Sequence, residues 1–549
     1  MARIFKNVAK TRLRRNVFNL SHDVKLTTEF GRLTPILCKE VLPGDKFRMR
    51  SEMLIRTAPL YAPLMHRVNA YVHYFYVPSR IVMDRWATFI TGGKDGDGTE
   101  TNRSGQKFNV IKPYVQFNQL ASWFHDVNSV NNVLGEGSLF DYLGFPAVPY
   151  EKIEHAADKH QFDWSGQPID LMPFKVYQTI YNEVYRDENF EDEVDIISDQ
   201  NGELFDYLDG QNVQPQRQAQ LLNDLFTLKQ RNWEKDYFTS AFSTPQRGSD
   251  TTVGVGYDAG SLSAEVTGEG FVDVANNRVN VGNVAQNLGV EITGGNEAVS
   301  INELRRAIAI QKFKERSARS GYRLTEFLRG FFGVTPPDSS LQRPEFLGGF
   351  KQQIQFGEVL QTSGTVEDSP QGGYAGTGYS LSGGKYIKRS FSEHGYVMAI
   401  LSIMPKPAYM QGWPREFDRF DRLDYYIPDF AHLGEQEIAK KELSFGVAND
   451  APNNELFGYT PRYAEYKFAL SRVCGNMRSS LDFWHMARRI QVGQNLNRSF
   501  LELDSREPDR VFNVQGNEVD GRKIDHLWLQ VYHDIKAVRP MPKFGTPLI

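Results

Sequence analysis

The sequence predicts a mainly β chain: an antiparallel β-sandwich with long loop insertions that carry several α-helices. Three observations point there. Apolar and polar residues alternate with period two over several segments, helical stripes sit between those segments, and the chain of 549 residues is far longer than its strands require. Strands of ordinary length run to only about 5 or 6 residues each, so most of the chain must lie in connections that greatly exceed the usual 4 to 6 or so.

Taken in order, Pro43-Gly44-Asp45 supplies a turn. From there Phe47, Met49, Met53 and Ile55 fall on one face, while Arg48, Arg50, Glu52 and Arg56 fall on the other, as a strand with one dry and one wet face requires. The same rhythm recurs in Val68-Ala70-Val72-Tyr74-Tyr76, in Phe350-Ile354-Phe356-Leu360 and in Leu527-Leu529-Val531. Tyr396 to Met404 is apolar on both faces and reads as a central strand. Helical spacing appears in Phe174, Tyr177, Tyr181 and Val184, with Pro173 near the start, where its missing N–H costs little. Leu120, Trp123, Phe124, Val127 and Val130 make a second stripe, and Leu221, Leu222, Leu225 and Phe226 a third. Ser300-Ile-Asn-Glu303 is a capping box opening a fourth, basic helix.

Residues 249–300 differ from their surroundings. They hold seven acids against one base, Arg278, and are rich in Gly, Asn and Val. Phe271-Val-Asp-Val and Arg278-Val-Asn-Val flank Asn276 and Asn277 and read as a short hairpin. The expectation is a protruding surface insertion, with Phe271, Asn276, Asn277 and Arg278 as candidate recognition residues. The Pro-rich end, residues 539–549, has few ladder donors and is expected to lie extended over the surface or a neighbour.

Composition narrows the function classes. With 40% hydrophobic and 24% charged residues the chain is ordinary for a globular protein. No apolar run approaches the roughly 20 residues of a membrane helix. The basic start has no apolar stretch behind it, which predicts synthesis without a secretory leader. The two cysteines, Cys38 and Cys474, lack the spacing of a thiolate metal site or disulfide framework and suit a reducing cytoplasm. Cys38, inside Pro35-Ile-Leu-Cys38, reads as a core residue. Gly254-Val-Gly256-Tyr-Asp-Ala259 has the letters of a dinucleotide fingerprint without the strand and helix that chemistry needs. His155, Asp158 and His160 are the best metal-like cluster, but they sit on a charged stretch that reads as solvated surface. No catalytic residue, cofactor or metal site is expected.

Net charge is −4, unevenly spread. Residues 1–20 hold Arg3, Lys6, Lys10, Arg12, Arg14 and Arg15 and no acid, so the body is anionic and the arm cationic. Such an arm is either a solvated terminus or a contact to a polyanion. Aromatics make up 13% and often stand beside Arg and Pro, as in Trp413-Pro-Arg-Glu-Phe-Asp-Arg-Phe420 and Tyr459-Thr-Pro-Arg-Tyr463. Tyr and Arg anchor interfaces as readily as they fill cores, and both readings stay open.

Several blocks in one order resemble the major capsid protein of the microviruses, small icosahedral single-stranded DNA phages, most closely the gokushovirus-like branch. They are FNLSHDVKLTTEFGRLTPILCKEVLPGDKFRMR (Phe18 to Arg50), the stretch Arg56 to Gly93, QTIYNEVYRDENF from Gln178, RNWEKDYFTSAFSTPQRG to Gly248, Leu341 to Ser363, and Asp424 to Ile438. The resemblance implies an eight-stranded viral jelly roll in a single domain over residues 21–549, behind an arm at 1–20. It further implies a structural protein that self-assembles into a T=1 icosahedral virion shell around circular single-stranded DNA, made in the bacterial host cytoplasm. The implied partners are further copies with pentameric contacts, packaged single-stranded DNA, small DNA-binding and scaffolding or pilot proteins, and a host surface receptor met by residues 249–300. Candidate interface residues are Tyr181, Tyr185, Arg186, Trp233, Tyr237, Trp413, Arg415, Arg462 and Tyr463. The rivals are a carbohydrate-binding or carbohydrate-active jelly roll and a phage receptor-binding protein.

Overall fold

The computed structural model describes residues 14–101, 105–127, 133–148, 165–248, 272–275, 278–281, 301–320, 324–335, 337–360, 374–505, 507–513, 518–519 and 522–544. The chain divides into two compact units, Met1–Ser243 with Pro336–Ile549, and Thr244–Thr335.

The first unit is built on eight strands: β1 (His22–Thr28), β2 (Thr34–Val41), β3 (Lys46–Thr57), β4 (Val68–Pro78), β5 (Glu345–Leu360), β6 (Tyr374–Gly383), β7 (Gly395–Pro405) and β8 (Leu527–Arg539). All pair antiparallel in one curled sheet. The long strand β5 turns its corner, pairing β4 through Ile354 and β6 from Gln355 onward. Folded there, the sheet gives two layers, β1-β8-β3-β6 and β2-β7-β4-β5. This is the strand order of a jelly roll, two Greek keys rolled together. Two short strands extend the first layer, Asn16–Asn19 beside β8 and Ile387–Ser390 beside β3.

Alternation decides which faces meet. Phe47, Met49, Met53 and Ile55 of β3 are buried between the layers with Val68, Ala70 and Val72 of β4 and Leu527, Leu529 and Val531 of β8. Each of these side chains other than Ala70 contributes roughly 1.5–3 kcal/mol on burial. Gly44, at φ +92°, makes the turn before β3, where Leu42 N–H donates to the Asp45 carboxylate at 2.9 Å. A buried polar cluster interrupts the core. His533 Nε2 donates to the Ile36 carbonyl at 2.9 Å, which leaves Nδ1 to accept from Ser51 Oγ at 2.6 Å. Tyr74 donates in turn to Ser51 Oγ at 2.5 Å.

Residues 79–243, between β4 and β5, supply a third layer with α1 (Phe117–Val127), α2 (Met172–Ile180), α3 (Leu204–Gly210) and α4 (Pro215–Phe226). Its apolar stripes pack on Phe75, Val77, Tyr396, Met398 and Ile400, the outer face of the second sheet layer. Every residue of β7 is therefore buried, which accounts for its two apolar faces. Cys38 packs against the same cluster, and burial pushes its thiol up to about 12.

One stripe needs correcting. After Ile180 the backbone widens into a π turn, Tyr181–Tyr185, which inserts extra rotation. Tyr181 stays buried, but Val184 swings off the face and is 38% exposed.

The second unit holds the hairpin Val272–Ala275 with Arg278–Val281, and the helix α5 (Ile301–Ser320). Ring contacts of Phe313 and Phe327 to Phe331 at 5.0 and 4.7 Å pack the turn that follows against it. Residues 249–271 and 282–300, Val130, the cluster His155, Asp158 and His160, and residues 545–549 lie outside the described residues.

Candidate subunit-contact surface

The connection from β7 to β8, residues 406–526, has its own small core. A two-stranded hairpin, Glu435–Ala439 with Leu456–Pro461, places Ile438 and Phe457 against Leu443, Ala464, Phe500 and the aromatic pair Tyr237 and Phe238. Glu442 is buried at its edge and accepts from Tyr237 OH at 2.9 Å, from Arg415 Nη1 at 2.8 Å and from the Ala439 N–H at 3.0 Å. Burial raises the Glu442 carboxyl, against the opposing charge of Arg415.

Over this core lies a platform of rings. Arg419 pairs with Glu465 at 3.1 Å, with only 10% and 7% of the two side chains exposed. The Arg419 guanidinium lies 4.3 Å from the centre of the Tyr466 ring and 5.7 Å from that of Tyr425. Gln436 fixes the other side, donating to Glu465 at 2.7 Å and accepting from Tyr463 N–H at 2.9 Å. That second bond holds Tyr463 at φ +61°, a left-handed conformation unusual for a bulky residue. The Tyr463 ring then meets Tyr426 edge-on at 5.0 Å. Asp424 accepts from the N–H groups of Phe420 and Asp421 at 3.0 and 2.9 Å and shapes the turn that projects Phe420.

Phe420 is 88% exposed and Phe417 66%, with Trp413, Leu423, Tyr425 and Tyr426 also turned to solvent. A cleft of about 290 Å³ beside them is lined by Trp413, Pro414, Phe468 and Leu470, with Tyr237 and Glu442 on its wall. Several exposed large apolar side chains on one short stretch of chain make this surface a candidate contact site. The stacked guanidinium and the carboxylate pair hold the rings before any partner arrives, which lowers the ordering cost of association.

The nominated residues fall into two groups. Tyr181, Trp233 and Tyr237 are buried within the chain. Tyr181 donates to Glu191 at 2.5 Å, Tyr185 OH meets His73 Nδ1 at 2.8 Å, Arg186 donates to the Glu191 carbonyl at 2.7 Å, and Arg488 stacks on Trp233 at 4.9 Å. Trp413, Arg415 and Arg462 belong to the platform, with Arg462 stacked at 5.1 Å on Tyr463, which is itself buried within the chain. Phe417, Arg419 and Phe420 lie in the Trp413–Phe420 stretch whose interface and core readings stayed open, whereas Glu465 and Tyr466, just beyond Tyr463, carried no sequence signal. Arg14 and Arg15 are exposed at the start of the described chain, whereas Arg3, Lys6, Lys10 and Arg12 lie outside the described residues. So do Phe271, Asn276 and Asn277; Arg278 opens the second strand of the hairpin. Among the described residues no group of His, Cys, Asp and Glu is placed to hold a metal ion, and no helix is long and apolar enough to cross a membrane.

A jelly roll with oversized connections and a preorganised aromatic surface has the build of a structural subunit that associates with others. The chain belongs to the capsid protein (F protein) family, whose model matches residues 6–127 and 142–549. It is a bacteriophage capsid protein, a structural component of the virion. It is 30% identical to capsid protein VP1 of Chlamydia phage 1 over 99% of this chain and 97% of that one. It is also 30% identical to capsid protein VP1 of Bdellovibrio phage phiMH2K at the same coverage. Capsid protein VP1 of Spiroplasma virus 4 is 27% identical over 97% of this chain and 95% of its own length.

Proposed function

We propose that copies of this chain close into a T=1 icosahedral shell around circular single-stranded DNA, and that neighbours meet through the platform on the β7–β8 connection. The observation that carries the contact is the exposure of Phe417 and Phe420 on a surface already ordered by Arg419 and Glu465. Family membership supplies the kind of partner, a further copy of a capsid subunit. Heterologous contacts of this sort close into rings and shells when the rotation permits, and each stable one buries on the order of 1,200 Å² or more. Within this reading the contacts around one axis are pentameric and the shell also recruits small DNA-binding and scaffolding or pilot proteins.

The cationic arm, with Arg14 and Arg15 at its described end, reaches the packaged DNA, and residues 249–300 meet the host receptor. Synthesis takes place in the bacterial cytoplasm. The support for these parts is the charge pattern, the acidic insertion and the resemblance to microvirus shells.

Sedimentation of the expressed chain tests the contact. Wild type runs as pentamers or closed shells. The Phe417→Ser, Phe420→Ser double variant stays folded by circular dichroism and runs as monomer. A variant that assembles as wild type removes the platform from the contact. A monomeric wild type with glycosidase activity supports the carbohydrate-active rival instead.

A further inference from the structure

The first sheet layer has an outer face that is solvent-exposed among the described residues, and its composition is unlike that of the platform. Register sets out its rows. At one end Thr27, Trp528, Arg56 and Tyr379 lie side by side across β1, β8, β3 and β6. Trp528 is 41% exposed and Tyr379 55%. At the other end Lys536, Arg48 and Lys388 form one row, and Lys46 lies in the next. Between them, the guanidinium groups of Arg48 and Arg50 sit 3.8 and 4.7 Å from the centre of the Tyr386 ring, and Tyr532 is 39% exposed.

The cations Lys25, Lys46, Arg48, Arg50, Arg56, Lys388 and Lys536 outnumber the acids of this face, Asp23, Glu52 and Asp534. Two of those acids are already engaged, Glu52 by Arg50 and Asp534 by the Tyr386 hydroxyl at 2.6 Å. On a chain of net charge −4 this is a local concentration of positive charge. The short strand Asn16–Asn19 pairs β8 at the basic end, so the arm leaves from there, with the Arg15 guanidinium beside Gly44.

A protein neighbour is a poor fit, because lysine is depleted in the cores of protein interfaces. A flexible polyanion carrying flat rings fits both halves of the pattern. Cations follow a phosphate backbone, and exposed aromatic side chains stack bases without reading their sequence. We propose that this face binds single-stranded DNA, with the Lys536-Arg48-Lys388 row neutralising phosphates and Trp528 and Tyr379 stacking bases. The proposal rests on the reading that the shell encloses such DNA, and adds the surface that holds it.

The test uses the full chain and a labelled oligo-dT of about 30 nucleotides, enough for several OB-sized sites, with anisotropy read across a salt series. The Arg48→Gln, Lys388→Gln, Lys536→Gln variant lowers the salt slope by about two, since each contact to a single strand contributes about 0.7. Lys388→Arg leaves the slope unchanged. Trp528→Ala binds about tenfold more weakly at fixed salt, and its binding to a duplex of equal length is unaltered. Electron microscopy of the same samples reads assembly separately. Wild-type slope and affinity in both variants, with shells forming, overturn the sheet face and leave DNA contact to the arm. Variants that lose assembly while binding DNA as wild type identify the face as a subunit contact and also overturn it. Wild-type shells that form with no affinity for DNA overturn the enclosure reading itself.

Discussion

Arg419 links two aromatic rings to a carboxylate that has almost no other access to solvent. Removing one member of such a pair strands the other charge in a poorly solvated site. Arg419→Ala is therefore expected to cost on the order of 3 kcal/mol, read as a lower unfolding midpoint. Phe420→Ser, on a side chain that is 88% exposed, should stay within about 0.5 kcal/mol while weakening assembly. His533 gives a pH dependence. Burial, with the nearby His22 charge adding to it, lowers its imidazole to about 4, against an ordinary value near 6.5. The unfolded chain thus takes up a proton that the fold refuses. Stability is complete above about pH 6.5 and falls by up to roughly 3 kcal/mol as the pH drops to about 4. Melting curves across that window check it, and a flat midpoint would contradict a neutral buried His533. The Trp413–Phe420 stretch was legible as either interface or core but not as which, because sequence shows that Arg and aromatic residues are adjacent but not which of them water reaches. Tyr181 and Tyr425 sit in similar Tyr-rich surroundings, yet one is 1% exposed and the other 55%.

Elements were easier to read than residues wherever one face was dry. In β3 and β8 the alternation follows from pairing a wet outer face with the sandwich core, and the strand limits fell near the turn residues. The two apolar faces of β7 gave its central position, but not the reason, which is a helical layer contributed by a connection more than a hundred residues away. The π turn after Ile180 was invisible because its composition is that of an ordinary helix. Tight approach is likewise a property of the paired element. A Cβ on Gly349 would lie 2.5 Å from the Val72 carbonyl oxygen, where β5 bulges past β4. Gly349→Val is expected to cost about 1–3 kcal/mol through forced backbone displacement, measurable by denaturant unfolding or as loss of soluble protein.

For the whole molecule, strand order came from resemblance and not from periodicity, since alternation names faces and leaves partners open. Charge asymmetry, in contrast, is fully visible in sequence. Deleting residues 1–15 removes six cations and should lower the salt slope of single-stranded DNA binding by about four, leaving the share attributed to the sheet face. The long connections make sense only at this scale. Among the described residues they clothe one sheet layer, build the platform, and leave the outer face of the other layer exposed, so that in the proposed reading a single jelly roll offers separate surfaces to protein and to nucleic acid. Electron microscopy of the assembled particle, at a resolution that places side chains, tests this most directly. The account predicts a closed T=1 shell with Phe417 and Phe420 buried against a neighbouring subunit. A closed shell in which both rings remain in solvent, or no shell at all, would contradict it.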